Sequence, residues 1–326
     1  MKVLLPFLTV LLLLTGCSQK KYFEPEDTAG DYPQSTKSIS DDIVGFNRSG
    51  ATLEDGQIIT EDELIDFKLP KGYAFINYSE KKVIATNNRN KLLINDEKSI
   101  LDVDGIVVAA TLKGEILAMI FSDNTLALYD IKKNKYLLKE YQTQSLANDI
   151  RITNPIFMTN IVLFPTLNGK VVVVGLKENK VVKNIVVDAS GTFNNIIYLD
   201  VVNDTLIAAT ANKIISVSTD NVNIKEFEIR DVISNKNDLY VATIDGQLIK
   251  MDANLDIAAQ KKYKFAKIYA LAFGTSLYAL ESQGFIINVD EDFVQDRIYD
   301  FSFDEEAKTI GLKNRFYFAD KYLEVK

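Results

Sequence analysis

Short apolar runs recur along the chain from about residue 42 to its end. The segments 170–174, 196–199 and 285–289 are rich in β-branched and aromatic residues, and each is followed by Asp or Gly. Such runs predict short β-strands separated by turns, and hardly any segment shows the 3.6-residue period of a helix. Many short strands at even spacing are typical of an all-β sandwich, barrel or propeller.

Internal repetition decides among these folds. Residues 51–62 and 242–252 both read as a strand, a tight turn closing on Gly, and a second strand that ends in Asp. Gly and Asn tolerate the left-handed backbone of such turns. Eight units can be anchored on turn residues spaced 30 to 45 positions apart: Gly56, Asn90, Asn124, Gly169, Asn212, Gly246, Gly284 and Asn314. In six units an aspartate six positions later is expected to end the strand: Asp62, Asp96, Asp130, Asp252, Asp290 and Asp320.

A repeat of this length predicts an eight-bladed β-propeller with four strands per blade. A single four-stranded sheet cannot bury both faces, so neighbouring blades must stack and the ring must close. One unit is expected to supply strands at residues 161–166, 170–175, 181–188 and 196–202. The propeller domain is predicted to span residues 41–326. A seven-bladed ring is one alternative, because the first unit has only about ten residues before its hairpin. A pair of β-sandwiches is the other, because hairpin signals of this kind are generic.

The first 16 residues have a different pattern. Lys2 precedes an apolar stretch, residues 3–14, that is typical of a secretory signal. It is too short to span a bilayer, which takes roughly 20 residues. The residues at its end resemble the lipobox of bacterial lipoproteins: Leu14, Thr15, Gly16 and Cys17. This resemblance implies a signal peptide over residues 1–16, cleavage before Cys17, and a lipid with acyl chains such as palmitate on Cys17. An ordinary signal with a chance cysteine is the alternative.

Residues 17–40 are polar and rich in Lys, Glu, Asp, Ser and Pro. Such a segment buries too little apolar surface to offset its ordering entropy, so we expect a lipidated flexible tether. Ser18 is not the aspartate that retains lipoproteins in the inner membrane. In a bacterium with two membranes, the lipoprotein resemblance therefore implies the outer membrane, with the protein facing the periplasm.

Composition excludes several classes of function. The net charge of −8 makes nucleic acid an improbable partner, since phosphates would be repelled. The chain has no His and a single Cys. This removes a Ser-His-Asp triad, a free cysteine nucleophile and the common zinc sites. We therefore predict no enzymatic activity, no cofactor and no metal site.

Calcium binding and carboxylate chemistry stay open. Residues 252–256 alternate oxygen-bearing side chains as a calcium loop does, but Ile257 and Lys264 stand where such a loop needs Gly and an acidic residue. A structural turn is the favoured interpretation. The acidic clusters at residues 61–63, 290–292 and 304–306 can supply a glycosidase-like pair of carboxylates, although such runs are more often solvated turns.

The repeat resembles the blade of quinoprotein-type (PQQ-like) β-propellers, in which a strand, a Gly turn and a strand ending in Leu-Asp precede a docking tryptophan. Residues 128–130 and 251–252 match the strand end, whereas the chain has no Trp. Tyr136, Phe227 and Tyr263 are candidate substitutes for the tryptophans. A lipobox joined to an eight-bladed propeller resembles the B lipoproteins of the outer-membrane β-barrel assembly machinery (BamB-like proteins).

That resemblance implies a non-catalytic scaffold that binds a β-barrel assembly protein or an outer-membrane client. The alternative is a periplasmic or surface binding module, or a carboxylate-dependent hydrolase, acting on carbohydrate or peptide in the central channel. The longer units leave room for loops at residues 141–154 and 188–195. We expect a partner surface there, because interaction sites concentrate on loops.

Overall fold

Eight four-stranded antiparallel sheets make up the protein, as a computed structural model shows for residues 21–145, 148–190 and 193–326. The sheets are the blades of a β-propeller, so the eight-bladed prediction is confirmed and the seven-bladed alternative is wrong. Blade 1 contains β2 (Ile43–Asn47), β3 (Gly50–Leu53), β4 (Gln57–Thr60) and β5 (Leu64–Lys68), and blade 2 contains β6 (Ala74–Ser79), β7 (Lys82–Thr86), β8 (Lys91–Ile94) and β9 (Asp96–Asp102). Blade 3 contains β10 (Val107–Lys113), β11 (Ile116–Phe121), β12 (Leu126–Asp130) and β13 (Lys135–Glu140), and blade 4 contains β14 (Ile156–Phe157), β15 (Ile161–Pro165), β16 (Lys170–Gly175) and β17 (Lys180–Val186).

The remaining blades complete the ring. Blade 5 contains β18 (Tyr198–Val202), β19 (Thr205–Ala209), β20 (Lys213–Val217) and β21 (Val222–Glu226), and blade 6 contains β22 (Ile229–Asn235), β23 (Asp238–Thr243), β24 (Gln247–Asp252) and β25 (Ile257–Lys262). Blade 7 contains β26 (Ile268–Phe273), β27 (Leu277–Glu281), β28 (Phe285–Val289) and β29 (Asp296–Asp300), and blade 8 contains β30 (Thr309–Leu312), β31 (Arg315–Phe318), β32 (Lys321–Glu324) and β1 (Lys37–Ser38). The first strand of each blade faces its counterparts around a central channel.

The core is divided into apolar clusters that lie between neighbouring blades. Among the described residues there are eight, one at each junction, including the junction of blade 8 with blade 1. Strand β23 shows how the sequence produces them. Leu239 and Val241 pack toward blade 5, whereas Tyr240 and Ala242 pack toward blade 7. Alternate side chains of a strand point to opposite faces, so a continuous apolar run serves two interfaces at once.

The N-terminal segment departs from the expected tether. Of residues 17–40, the described part, 21–40, lies against the propeller. Phe23 is only 6% exposed and packs edge-on against Tyr263 and Phe285. Further along, Asp31 bridges in parallel to Asp300 at the outer edge of blade 7. The prediction of a free chain was wrong here because a few well-spaced aromatic residues anchor an otherwise polar segment.

The same segment closes the ring. Strand β1 pairs antiparallel with β32, Lys37 opposite Tyr322 and Ser38 opposite Lys321. The outermost strand of the last blade therefore comes from the N-terminal end of the chain, ahead of the predicted domain boundary at residue 41. We refer to residues 21–40 as the strap.

Because β1 supplies the outermost strand of blade 8, the anchor residue of the last repeat lies in a different turn of its blade from the other seven. Seven anchor residues lie in the turn between the second and third strands of a blade, as the repeat predicts, but Asn314 lies between the first and second strands of blade 8. Of the six aspartates expected to end a third strand, Asp130 and Asp252 do so. The other four lie elsewhere: Asp62 and Asp290 follow the ends of β4 and β28, Asp96 opens β9, and Asp320 lies in the turn before β32. The assignment of residues 196–202 to the unit of residues 161–188 was also wrong, because β18 opens blade 5 and blade 4 begins with β14.

The turn at Gly169 is the most tightly constrained of these positions. Its φ is +79°, and a Cβ there would lie 1.9 Å from the carbonyl oxygen of Asp188. We expect Gly169→Ala to lower the free energy of unfolding by at least about 2 kcal/mol, from overlap and backbone strain together. Urea denaturation followed by circular dichroism measures the change. Gly45→Ala is the matched control, since Gly45 lies in β2 with open space around its Cβ position. Equal midpoints for the two variants would contradict the prediction.

The predicted lipobox, Leu14 to Cys17, and the signal peptide over residues 1–16 lie outside the described residues. Within the described part of the chain, no helix has the length and apolar character needed to cross a bilayer.

Candidate functional site

A loop of the protein itself occupies part of the central channel. Between β13 and β14, residues 148–155 cross the channel and bond to several blades. The Asn154 amide donates to the Ser49 hydroxyl oxygen of blade 1 at 2.9 Å, and its side-chain oxygen accepts the Ala110 amide of blade 3 at 2.9 Å. It also donates to the Ile76 carbonyl of blade 2 at 3.3 Å. We call residues 148–155 the plug, and its buried Asn154 joins three neighbouring blades, 1, 2 and 3.

At its other end the plug is held by an arginine. Arg151 donates to the carbonyls of Ile229 and Arg230 in blade 6. It also forms a two-pronged ion pair with Asp149. Burial by itself raises the pKa of Asp149, but the Arg151 charge and its hydrogen bonds outweigh burial and lower that pKa. Asp149 therefore stays ionised, and the loop is fixed by charge-assisted bonds.

The two loops predicted to carry a partner surface meet at this point. Asn195, in the loop before β18, accepts the Asp149 amide at 2.6 Å and donates to the Asp149 carbonyl at 3.2 Å. Within the described residues, the two predicted loops thus meet through the contact between Asn195 and Asp149. Their role in binding a partner stays a prediction.

Arg48 is the main charged group of the channel that the sequence did not reveal. It lies in the turn between β2 and β3, pairs with Asp231, and donates to the Val232 carbonyl. Asp231 in turn accepts the Leu271 amide at 2.9 Å, so this one contact links blades 1, 6 and 7. Burial disfavours the charged Arg48, but the Asp231 charge prevails and raises the pKa of the guanidinium. A lone arginine in a turn carries no sequence signal of such a contact.

The plug and Arg48 divide the channel into two cavities. The larger, about 1150 Å³, opens among the turns that follow the first strands and is lined by Arg48, Thr153 and residues of the strap. The smaller, about 320 Å³, lies on the side of residues 148–151 and Phe193.

The larger cavity contains two carboxylates of interest. Glu61 is solvent-exposed at the rim, where partial loss of water raises the pKa of its carboxyl and the charges of Lys313 and Arg48 act in the opposite direction. Asp200 accepts hydrogen bonds from the hydroxyls of Tyr198 at 3.0 Å and Ser234 at 2.5 Å. Glu61 therefore has the less strongly bonded carboxylate of the two.

The predicted repeat residues have a structural role in turns, as Asp252 shows. Asp252 accepts the amides of Asn254 and Asp256 at 2.8 and 2.9 Å, as an Asx-type turn does. Among the described residues, no group of three or more acidic, His or Cys residues is arranged to hold a metal ion. Of the anchor and strand-end residues, Asn314 alone lines either of the two cavities.

The proposed docking aromatics lie near blade junctions. The Tyr263 hydroxyl donates to Asp296 of the next blade at 2.9 Å, and Phe227 packs against the cluster between blades 5 and 6. Tyr136 stacks edge-on against Tyr129, with ring centroids 5.0 Å apart. These contacts join strands and blades, but PQQ-like identity stays a prediction.

Comparison with known proteins gives relatives of two kinds. No family model matches the chain. The chain is 28% identical to the plasminogen-binding protein PgbB of two Helicobacter pylori strains, over 98% of its own length and about 70% of theirs (71% for strain J99, 70% for strain 26695). Its structure is similar to BamB from Moraxella catarrhalis (TM-score 0.67, 13% identity, 89% of this chain and 100% of that chain). It is also similar to the C-terminal WD40 domain of Sif2 (TM-score 0.61, 12% identity, 89% and 98%). The structural likeness shows a shared propeller fold.

Proposed function

We propose that the protein is a non-catalytic, lipid-anchored scaffold of the cell envelope that binds other proteins, in outer-membrane β-barrel assembly. The observation that carries the proposal is the plugged propeller. The channel centre is occupied by residues 148–155, so loops and blade edges offer the broad surfaces that a macromolecular partner needs. The fold shared with BamB supports the assembly role, and the lipobox resemblance supports the anchor on Cys17.

The outer strands of blades 4 and 5 supply a second supporting feature. Val182 and Val186 of β17, and Val222 and Ile224 of β21, are more than half exposed. Outermost strands leave backbone donors and acceptors unpaired, and a partner can add a strand to such an edge. Exposed β-branched side chains beside an open edge favour this mode of binding.

Binding of plasminogen is a second candidate. The relatives named plasminogen-binding protein match 98% of this chain at 28% identity, and the chain spans about 70% of their length, which supports this candidate. This candidate also treats the protein as a binding module, but places its partner outside the cell envelope.

A carboxylate-dependent hydrolase is the third candidate, and the raised pKa of Glu61 favours it. A general acid needs such a shift. However, Asp200 accepts hydrogen bonds from two hydroxyl groups. Glu324, which lines the same cavity, is paired with Lys37 and Arg315, so neither carboxylate is a free partner for Glu61. Loss of hydrolysis of a carbohydrate or peptide substrate in Glu61→Gln would establish this candidate.

Crosslinking in intact envelopes tests the proposal. The lipidated protein is recovered after detergent extraction, and its crosslinked partners are identified by mass spectrometry. We expect the core barrel-assembly protein among them. A parallel measurement of purified plasminogen binding to the immobilised propeller tests the second candidate. Plasminogen binding without recovery of the assembly protein, when the bait is well recovered, would refute the assembly role.

A further inference from the structure

The smaller cavity has a charged floor and an apolar rim. It lies between the plug and the first strands of blades 6, 7 and 8. Phe193 and Ile150 stand beside it with 51% and 69% of their surfaces exposed. At about 320 Å³ it has room for one or two side chains but not for a large ligand.

The floor contains one arginine, Arg230, that forms no direct ion pair within the described part of the chain. Arg48 pairs with Asp231, and Arg151 pairs with Asp149. Arg230, between them, donates through Nε to the Ile268 carbonyl at 2.8 Å and lies over the Tyr269 ring. No carboxylate of the described residues forms an ion pair with it. Its terminal guanidinium nitrogens are the donors that remain for an anion, in a chain whose net charge is −8.

The electrostatic surroundings of Arg230 are unfavourable for a cation. Burial and, next to it, the charge of Arg151 lower the pKa of Arg230, and they outweigh the nearby carboxylates of Asp231 and Asp149, which act in the opposite direction. A carboxylate placed beside the guanidinium offsets both effects and forms two parallel hydrogen bonds. The site is therefore built to gain from an incoming anion.

A second unsatisfied group lies at the same cavity. The side-chain oxygen of Asn148 is buried and accepts no hydrogen bond among the described residues. A buried acceptor without a donor is costly, and the natural remedy is an N–H group of a ligand. A ligand that complements Arg230, Asn148 and the apolar rim must therefore combine a carboxylate, an N–H group and apolar surface.

We propose that the smaller cavity binds an acidic side chain of an extended peptide segment in a partner protein. The carboxylate pairs with Arg230, a peptide N–H donates to Asn148, and a neighbouring apolar residue covers Phe193 and Ile150. The inference rests on the proposed scaffold function and names the chemistry of the partner. A free carboxylate metabolite brings neither the peptide N–H nor the apolar neighbour.

Peptide binding measured by fluorescence anisotropy tests the proposal. The probe is a fluorescein-labelled pentapeptide of the sequence glycine, phenylalanine, glutamate, phenylalanine, glycine, with glutamine in place of glutamate in the matched probe. We expect the protein to bind the glutamate probe about tenfold more tightly than the glutamine probe, and Arg230→Gln to abolish this preference. Arg89→Gln, in the exposed turn between β7 and β8, is the control and should keep it.

Several results would overturn the proposal. These are equal affinity for the two probes, an unchanged preference in Arg230→Gln, or full displacement of the probe by acetate at the concentration of competing unlabelled peptide. If Arg230→Gln does not fold, Phe193→Asn supplies the test, because Asn accepts the φ of +59° at this exposed rim position and removes its apolar surface. An assembly protein captured equally by Arg230→Gln would refute the cavity but leave the scaffold function intact.

Discussion

Replacement of Arg48 by methionine is expected to lower the free energy of unfolding by about 3 kcal/mol or more. Methionine keeps most of the length and apolar surface of the side chain but leaves the Asp231 carboxylate buried without its counter-charge. The hydrogen bond to the Val232 carbonyl is lost as well. Urea denaturation followed by circular dichroism gives the change, and Arg89→Met, at an exposed turn, is the matched control.

The double variant Arg48→Met with Asp231→Asn separates the charge from the packing. Asparagine carries no charge, so we expect it to recover part of the stability lost in Arg48→Met. Recovery is incomplete because the Asp231 carboxylate also accepts the amides of Val232 and Leu271. A single variant Arg48→Met as stable as the Arg89→Met control would show that the ion pair contributes nothing.

The variant that lacks residues 1–40 is expected to lose more stability than any single substitution in the strap. It loses the buried ring of Phe23, worth about 3 kcal/mol by itself, together with the contacts of Tyr32 and the pairing of β1 with β32. The comparison is with the variant that lacks residues 1–20 only. Thermal unfolding by calorimetry measures the difference, which should exceed about 6 °C.

Two substitutions assign the effect to named contacts. Phe23→Ala should account for a large part of the loss, whereas Tyr22→Ala, at a neighbouring side chain that is 46% exposed, should have little effect. An identical unfolding temperature for the variants lacking residues 1–20 and 1–40 would show that the strap does not stabilise the ring.

The repeat pattern predicted the blades because the propeller is built from local signals. Turn residues such as Gly246 close hairpins, and alternate residues such as Leu239 and Tyr240 face different neighbouring blades. The sequence of each strand therefore specifies its own turn and its own packing. The number of blades then follows from counting units. The turn register failed in the unit of Asn314, where the outermost strand comes from the N-terminal end of the chain, and residues 196–202 were assigned to the wrong blade.

The strap and the site could not be predicted in the same way. Phe23 and Tyr32 are dispersed in a polar segment, and their partners lie more than 200 positions away along the chain. The plug depends on Asn154 and Arg151, whose bonds reach blades that only the closed ring brings together. The loops were recognised from their length, but their mutual contact through Asn195 was not.

Closure of the last blade by β1 affects the order in which the protein can fold. Lys37 and Glu324, which form an ion pair across this junction, are 287 positions apart. During synthesis, blades 1 to 7 can form hairpins as they emerge, but blade 8 cannot be completed before the C-terminal strands are released. Pairing of such distant segments raises the contact order and slows folding. Until that step, the open edge of β32 is exposed to other chains, and this period is the one in which aggregation or a folding factor would act.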